Sequence, residues 1–418
     1  MNICFVNNLL PNSRYPHPDI AQCNAIAKHL GHTTRILEYP ALDKGIVMDW
    51  PSEEERVTYL RYCFLECLLR DLKALIPKPH ILVFLTGVGG VSLIEDDLIR
   101  YLGYSYITVL LEGSLAVTPD LPPKHPYHVT FRNFAATLFH DWLKYGASTA
   151  SALLIGDNSF INIVPDYTDM PNLSLYDNFQ PYGRVVTAFA SVGCSIRCSF
   201  CKMNALFGNF HRKDRNWVIM ELSYYVKHFD HILFTDALVN PSLEVLEDYI
   251  SLMELFPTLT WSAFLQVMEI PDDILRRMVA SGFLAAAVGV ESLVPSVREK
   301  YGKKGIGVGV DIPKMIKTLD SHGIDVTLLM IVADEPFQSQ EEYEQELIEL
   351  TALQPYARWS VGPLMIFPNA DLLEQTPGLA VFDDFSWQYK GLLNMSYARV
   401  DPVRSLSLPR KDVYSFFI

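Results

Sequence analysis

Three of the chain's seven cysteines lie within eight residues, as Cys194-Ser-Ile-Arg-Cys198-Ser-Phe-Cys201. Spacings of three and two residues let one loop present thiolates to three corners of an iron–sulfur cube. That leaves one iron without a protein ligand, because no fourth cysteine lies near. An open iron can chelate a substrate or cofactor, just as a catalytic zinc keeps one position free. Two other readings stand beside this one. One is a structural zinc, for which His211, ten residues on, is the nearest fourth ligand; the other is three unconnected core cysteines. The remaining cysteines read as packing. Cys4 falls in a strand and Cys23 in a helix, where cysteine behaves as a small apolar side chain. Cys63 and Cys67, four apart in a helical pattern, share a face and read as core. An odd count in a chain this long disfavours a disulfide framework.

A cysteine loop needs rigid elements to carry it, and the sequence supplies them from Arg184 onward. Apolar runs predict strands over 185–190, 231–235, 260–265, 285–289, 325–331 and 358–361. Helical periods fall between them over 217–228, 244–255, 271–281, 311–322 and 341–353. Five or six βα units predict a full or partial (β/α)6, TIM-type barrel, whose chemistry sits at the carboxyl ends of its strands. The cysteines follow the first of those strands and a Gly193 turn. Residues 1–150 give a second α/β layer of the doubly wound, Rossmann-like kind, with strands over 3–7, 34–38, 80–85 and 107–111 and helices over 20–30 and 52–75. Glycine-bearing turns, Thr86-Gly87-Val88-Gly89-Gly90 and Glu112-Gly113-Ser114, follow two of its strands, where an open parallel sheet places its ligand crevice. They do not fit GxGxxG with a following ribose-binding acid, so a nicotinamide reading is weak. Residues 151–183 read as a linker, 184–370 as the barrel, and 371–418 as a C-terminal cap or substrate region.

The spacing CxxxCxxC, with Phe200 just before the third cysteine, resembles the radical S-adenosylmethionine (SAM) superfamily. The resemblance implies that Cys194, Cys198 and Cys201 bind a 4Fe-4S cluster whose fourth iron holds SAM, and that Phe200 packs near the adenine. Further segments are similar to one branch of that family: Arg212-Lys-Asp-Arg215 after the cluster, Phe234-Thr235-Asp236-Ala237 on the second strand, and Val288-Gly-Val-Glu291-Ser on the fourth. Through them the resemblance casts Arg215, Thr235, Asp236, Gln266 and Glu291 as SAM contacts. For Asp236 and Glu291 a strand-end carboxylate capping the next helix is the alternative, and for Arg215 a plain surface charge. Degenerate late motifs follow at 331–336 and 363–369, where Asp334, Asn369 and Ala370 stand in place of the usual glycines and threonine. That branch couples its barrel to an N-terminal cobalamin-binding domain and a connector like residues 152–162 and 170–177. The histidine signature of cobalamin mutases is absent. The resemblance therefore rests the corrin on Thr86, Gly87, Gly89, Gly90, Glu112, Gly113 and Ser114, and His125, His128 and His140 read as ordinary surface or core residues.

The implied function is a cobalamin-dependent radical SAM methyltransferase, delivering methyl from methylcobalamin to a carbon of a peptide or natural-product-type substrate. The alternative is a radical SAM cyclase or oxidoreductase acting without methyl transfer, with or without cobalamin. A non-catalytic iron–sulfur or zinc module is the reading from a different class. One cluster and an external electron donor such as flavodoxin or ferredoxin are expected. Lysine and arginine total 34 against 48 acidic residues, a net charge of −14, which argues against a nucleic-acid partner. No apolar stretch approaches the ~20 residues that span a bilayer. The opening Met-Asn-Ile-Cys-Phe-Val reads as a strand rather than a leader, so a cytoplasmic location is expected.

Overall fold

Residues 3–6 run apolar, as do 81–85 and 107–111, and residues 33–36 alternate exposed and buried; these make strands of a first parallel sheet. The computed structural model describes residues 1–7, 9–10, 16, 18–39, 53–86, 91–92, 107–112, 128–132, 135–145, 152–155, 163–170, 178–179, 182–201, 203, 210–302, 307, 309–332 and 337–364. The chain divides into two units, Met1–Thr187 and Ala188–Ile418.

The first unit runs β1 (Asn2–Val6), α1 (Pro18–His29), β2 (Thr33–Leu37), α2 (Glu53–Ala74), β3 (Ile81–Thr86), β4 (Ile107–Glu112), β5 (His128–Arg132), α3 (Ala135–Tyr145) and β6 (Ala152–Ile155). The strands lie in the order β2-β1-β3-β4-β5-β6, and every neighbouring pair is parallel. Cys4 and Val6 of β1 join Leu82 and Phe84 of β3 against Phe64, Leu68 and Leu72 of α2. Phe5 points the other way, edge-on to Phe139 of α3 at 5.9 Å, and α1 packs with α3. Helices therefore cover both faces, as a strand with no solvent-facing side requires. The strand order reverses between β1 and β3, the position at which an open parallel sheet opens its crevice.

Cys4 and Cys23 are fully buried, and burial pushes the Cys4 thiol up to about 12. Cys63 and Cys67, expected in the core, are only half-buried. The stripe that faces the sheet is Phe64, Leu68 and Leu72, and each cysteine sits one residue to its side. The run Ala-Leu-Leu-Ile at 152–155, expected to lie beyond the first domain, is its sixth strand. Four residues are too few to show a period. Part of the expected linker also packs onto this unit. Tyr167 and Met170 are buried, and the Asp166 and Asp169 carboxylates each stand 2.6 Å from Lys28 Nζ of α1. The Lys28 ammonium draws the Asp166 pKa below its usual range against the opposing effect of burial.

The second sheet begins with β7 (Asn178–Phe179) and β8 (Gly183–Ala188), in which the unit boundary falls. It continues through α4 (Arg215–Tyr225), β9 (His231–Phe234), α5 (Leu243–Met253), β10 (Thr260–Gln266), α6 (Asp272–Ala280), β11 (Phe283–Glu291), α7 (Pro295–Lys300), α8 (Ile312–Ser321), β12 (Asp325–Val332), α9 (Gln340–Leu353) and β13 (Arg358–Pro363). Strand order is β13-β12-β11-β10-β9-β8-β7. Strands β9 to β13 are parallel throughout, and β7 runs antiparallel to β8 at the edge. Among the described residues this is a partial barrel, a curled sheet with two ends. Its helices start where local chemistry starts them: Asp214, Ser242 and Asp311 each accept a backbone N–H at an N-terminus, and Ser339 and Glu342 form a capping box. Trp261 is wholly buried in the core, edge-on to Phe283 at 4.5 Å and Phe234 at 5.9 Å, with its indole N–H donated to Ser281. No helix among the described residues is long and apolar enough to cross a membrane.

Candidate active site

β8 ends at Ala188 and β9 at Phe234, and the N–H of Thr235 donates to Ala188 O at 2.8 Å, so the two strands finish side by side. Gln266 closes β10 opposite Gly289 of β11, and Glu291 closes β11. Four neighbouring carboxyl ends thus form one edge, and the cysteine loop leaves from the first of them.

Residues Ser191–Val192 pair antiparallel with His211–Arg212, closing the base of that loop as a two-stranded ribbon. Gly193 then turns the chain with φ 74°, a left-handed conformation that a Cβ would strain. All three cysteines that follow are half-buried thiols rather than halves of disulfides. The N–H of Cys201 donates to Cys198 O at 3.1 Å. Backbone N–H groups also point at two of the sulfurs, Ile196 at Cys194 Sγ (3.4 Å) and Met203 at Cys201 Sγ (3.5 Å). Such donors favour the thiolate, the form that binds metal. Among the described residues no three Cys, His, Asp or Glu side chains converge as a single metal ion requires. The thiolates of a cube each bind a different iron, so they need not converge on one point. The donor set fits an iron–sulfur cluster.

Behind the ribbon lies a buried polar group. The Asp236 carboxylate is 1% exposed and accepts from the Ala190 N–H (3.0 Å), Ser191 Oγ (2.5 Å) and Tyr249 OH (2.6 Å). Burial raises its pKa although these donors work the other way, and burial also raises the Tyr249 phenol. Beside it, Lys213 pairs with Glu221 at 3.4 Å with both side chains almost fully covered. The Lys213 ammonium stands 3.5 Å over the Phe189 ring, and Tyr225 OH donates to Glu221 at 2.6 Å.

The residues expected to touch SAM are distributed as follows. Thr235 is exposed at the end of β9. Asp236, expected as a contact, is buried with both oxygens engaged by protein donors, so its observed partners are the ribbon and α5. Gln266 is half-buried and gives its amide to Asn240 O (2.8 Å) and Pro241 O (3.3 Å), locking the loop after β9. Glu291 is half-buried at φ 62°, on a register shift in β11. A non-glycine residue there is strained and is held by its surroundings. Phe200 packs on Tyr301, rings 6.3 Å apart and edge-on. Arg215 is exposed at the start of α4 and donates to Asp248 O and Ser251 Oγ of α5 (3.3 and 3.2 Å). In the first unit Thr86 and Glu112 end β3 and β4 as register partners. Gly87, Gly89, Gly90, Gly113 and Ser114 lie outside the described residues, as do Asp334, Asn369, Ala370 and the expected cap at 371–418.

Sequence reasoning missed the residues that hold the strand ends. Glu346 of α9 is buried, accepts the Leu293 N–H at 2.7 Å and bonds the Ser292 hydroxyl, clamping the turn just after Glu291. Burial raises its pKa against those bonds. Arg298 of α7 donates to Ser292 O at 3.0 Å from the other side. A glutamate within a helical period gives no sign in sequence that it faces inward.

The same architecture is found in solved structures. The chain superposes on the radical S-adenosylmethionine methyltransferase TsrM from Kitasatospora setae, bound to tryptophan and a SAM analog, with TM-score 0.61 and 12% identity over 91% of this chain and 77% of that one. It superposes on the cobalamin-dependent S-adenosylmethionine radical enzyme OxsB, bound to aqua-cobalamin, with TM-score 0.57 and 14% identity over 90% of this chain and 55% of that one. The fold is that of cobalamin-dependent radical SAM enzymes. TsrM has also been solved with cobalamin and a [4Fe-4S] cluster, and OxsB with aqua-cobalamin and S-adenosylmethionine. This chain spans about half the length of OxsB. No family model matches the sequence, and no curated protein matches it.

Proposed function

We propose that this chain is a cobalamin-dependent radical SAM methyltransferase acting on a carbon of a peptide or natural-product-type substrate. The observation that carries the reading is the three-thiol loop at the carboxyl end of the first strand of a parallel βα series, with amide N–H groups aimed at two of its sulfurs.

Cys194, Cys198 and Cys201 would hold the cluster, leaving one iron open. Thr235 and Glu291 stand at the ends of β9 and β11, on the same edge with β10 between them, where a hydroxyl and a carboxylate can meet the polar groups of SAM. Glu291 suits the hydroxyls of a ribose, because its strained backbone fixes where the carboxylate starts. Asp236, Gln266 and Arg215 serve this reading as positioning residues. When bound, the cluster supplies the electron that cleaves the SAM sulfonium, and the corrin carries the methyl group. In the first unit the carboxyl ends of β3 and β4, with Thr86 and Glu112, support a corrin site in the Rossmann-like layer. The chain's own work is to bind, orient and keep water from these groups.

The test needs no substrate. The chain is reconstituted anaerobically, given hydroxocobalamin and a low-potential reductant, and incubated with methyl-labelled SAM. Label recovered on cobalamin, together with S-adenosylhomocysteine, is the expected result. Label confined to SAM and methionine, with 5′-deoxyadenosine formed and cobalamin unlabelled, would move the assignment to radical chemistry without methyl transfer.

A further inference from the structure

A short strap of chain, leading from the end of β11 to the cysteine loop, makes a contact that neither the spacing of the cysteines nor the comparisons account for. After Glu291 the chain turns through Ser292–Leu293, forms the six-residue α7 and ends at Tyr301-Gly302. Tyr301 is completely buried against Val294, Val297 and Phe337, with Phe200 packed on the same cluster. Its carbonyl accepts a 2.9 Å hydrogen bond from the hydroxyl of Ser199, the residue just after Cys198. Its ring meets Phe200, the residue before Cys201, edge-on. Gly302 has φ 74°, and a Cβ placed there would overlap Ser199 Oγ and lie 2.6 Å from Ser199 Cβ and 2.9 Å from Ser199 N. Real Cβ atoms do not approach that closely, so the backbone at 302 lies flush against the cysteine loop because it carries no side chain.

We propose that Tyr301-Gly302 is the positioning device for the cluster loop, setting the separation of Cys198 and Cys201 by gripping Ser199 and Phe200 between them. The proposal rests on the cluster reading above. The same strap begins at the turn that Glu346 and Arg298 clamp beside Glu291, so one short helix ties the carboxylate strand end to the cysteine loop.

The experiment compares Gly302→Ala with Gly323→Ala in the full chain. Gly323 also has positive φ (79°), but a Cβ there meets nothing within 4 Å. The pair therefore shares the backbone strain and differs in the contact with the loop. Each is reconstituted anaerobically, and iron and sulfide per chain are measured beside circular dichroism and thermal unfolding. Gly323→Ala is expected to match the wild type in cluster content, and Gly302→Ala to hold less than half of it while staying folded. The double variant Ser199→Gly/Gly302→Ala, which removes the side-chain overlap but keeps the close approach to the backbone N of residue 199 and loses the hydroxyl tie, is expected to regain only part of the cluster content. Ser199→Ala adds no bulk and reads the same tie independently, through iron release to a chelator several-fold faster than wild type. Wild-type cluster content in Gly302→Ala, or a wild-type release rate in Ser199→Ala, overturns the proposal. A wild-type chain that assembles no cluster overturns instead the reading on which it rests.

Discussion

Carboxylates at the strand ends divide by what surrounds them. Asp236 is surrounded by donors from the ribbon and from Tyr249, so removing it leaves three buried groups without their acceptor. At ~1–3 kcal/mol for each unpaired buried group, Asp236→Ala is expected to destabilise the second unit by several kcal/mol in urea unfolding. Asp236→Asn, which keeps the volume, is expected to cost less. Glu291 differs: its own backbone is strained, and Glu346 holds the turn after it. Glu346→Ala is therefore expected to weaken SAM binding about tenfold, or ~1.4 kcal/mol, in equilibrium dialysis with the reconstituted protein. An unchanged affinity would remove Glu346 from the account. The cysteines were legible because their spacing alone specifies a loop geometry. Asp236 was legible as a strand-end acid but not as a buried one, since burial depends on Tyr249 and Ser191, which sequence alone does not bring to it. Gly302 carried no signal, because a glycine after a short helix reads as an ordinary end of a helix.

Strands and helices of the second sheet were readable almost throughout, because their apolar runs alternate with helices of strong period and standard caps. β10, for instance, was expected over 260–265 and spans Thr260–Gln266. The strands and helix at 128–155 were not readable, their apolar runs being short and set among prolines and glycines. At the start of β9, His231 is wholly buried between Thr260 Oγ1 (2.7 Å) and Ser262 Oγ (2.8 Å). Burial holds its imidazole neutral, with a pKa down to about 3. An unfolded histidine takes up a proton below pH ~6.5, whereas this one does not until far lower. The unfolded state therefore binds more protons on acidification, and stability falls as pH drops below ~6.5. The expected slope from this group is ~1.4 kcal/mol per pH unit. His231→Asn is expected to flatten that part of the profile, measured as urea midpoints between pH ~7 and ~4. Parallel profiles for the two proteins would contradict it.

At the scale of the molecule, two parallel sheets stand in series along one chain. The first has its strand-order reversal between β1 and β3, and the second carries the three-thiol loop at the end of β8. Such an arrangement is consistent with the proposed function, which needs two cofactors with different demands. One demand is a crevice lined by backbone, the other a set of thiolates with one iron left open. The most direct measurement is anaerobic preparation with hydroxocobalamin supplied, followed by iron, sulfide and cobalt determination beside a visible spectrum, for the wild type and for Cys198→Ala. The account predicts about four irons and four sulfides with one cobalt per wild-type chain, and loss of the iron and sulfide alone in the variant. Iron and sulfide retained in full by Cys198→Ala would contradict it.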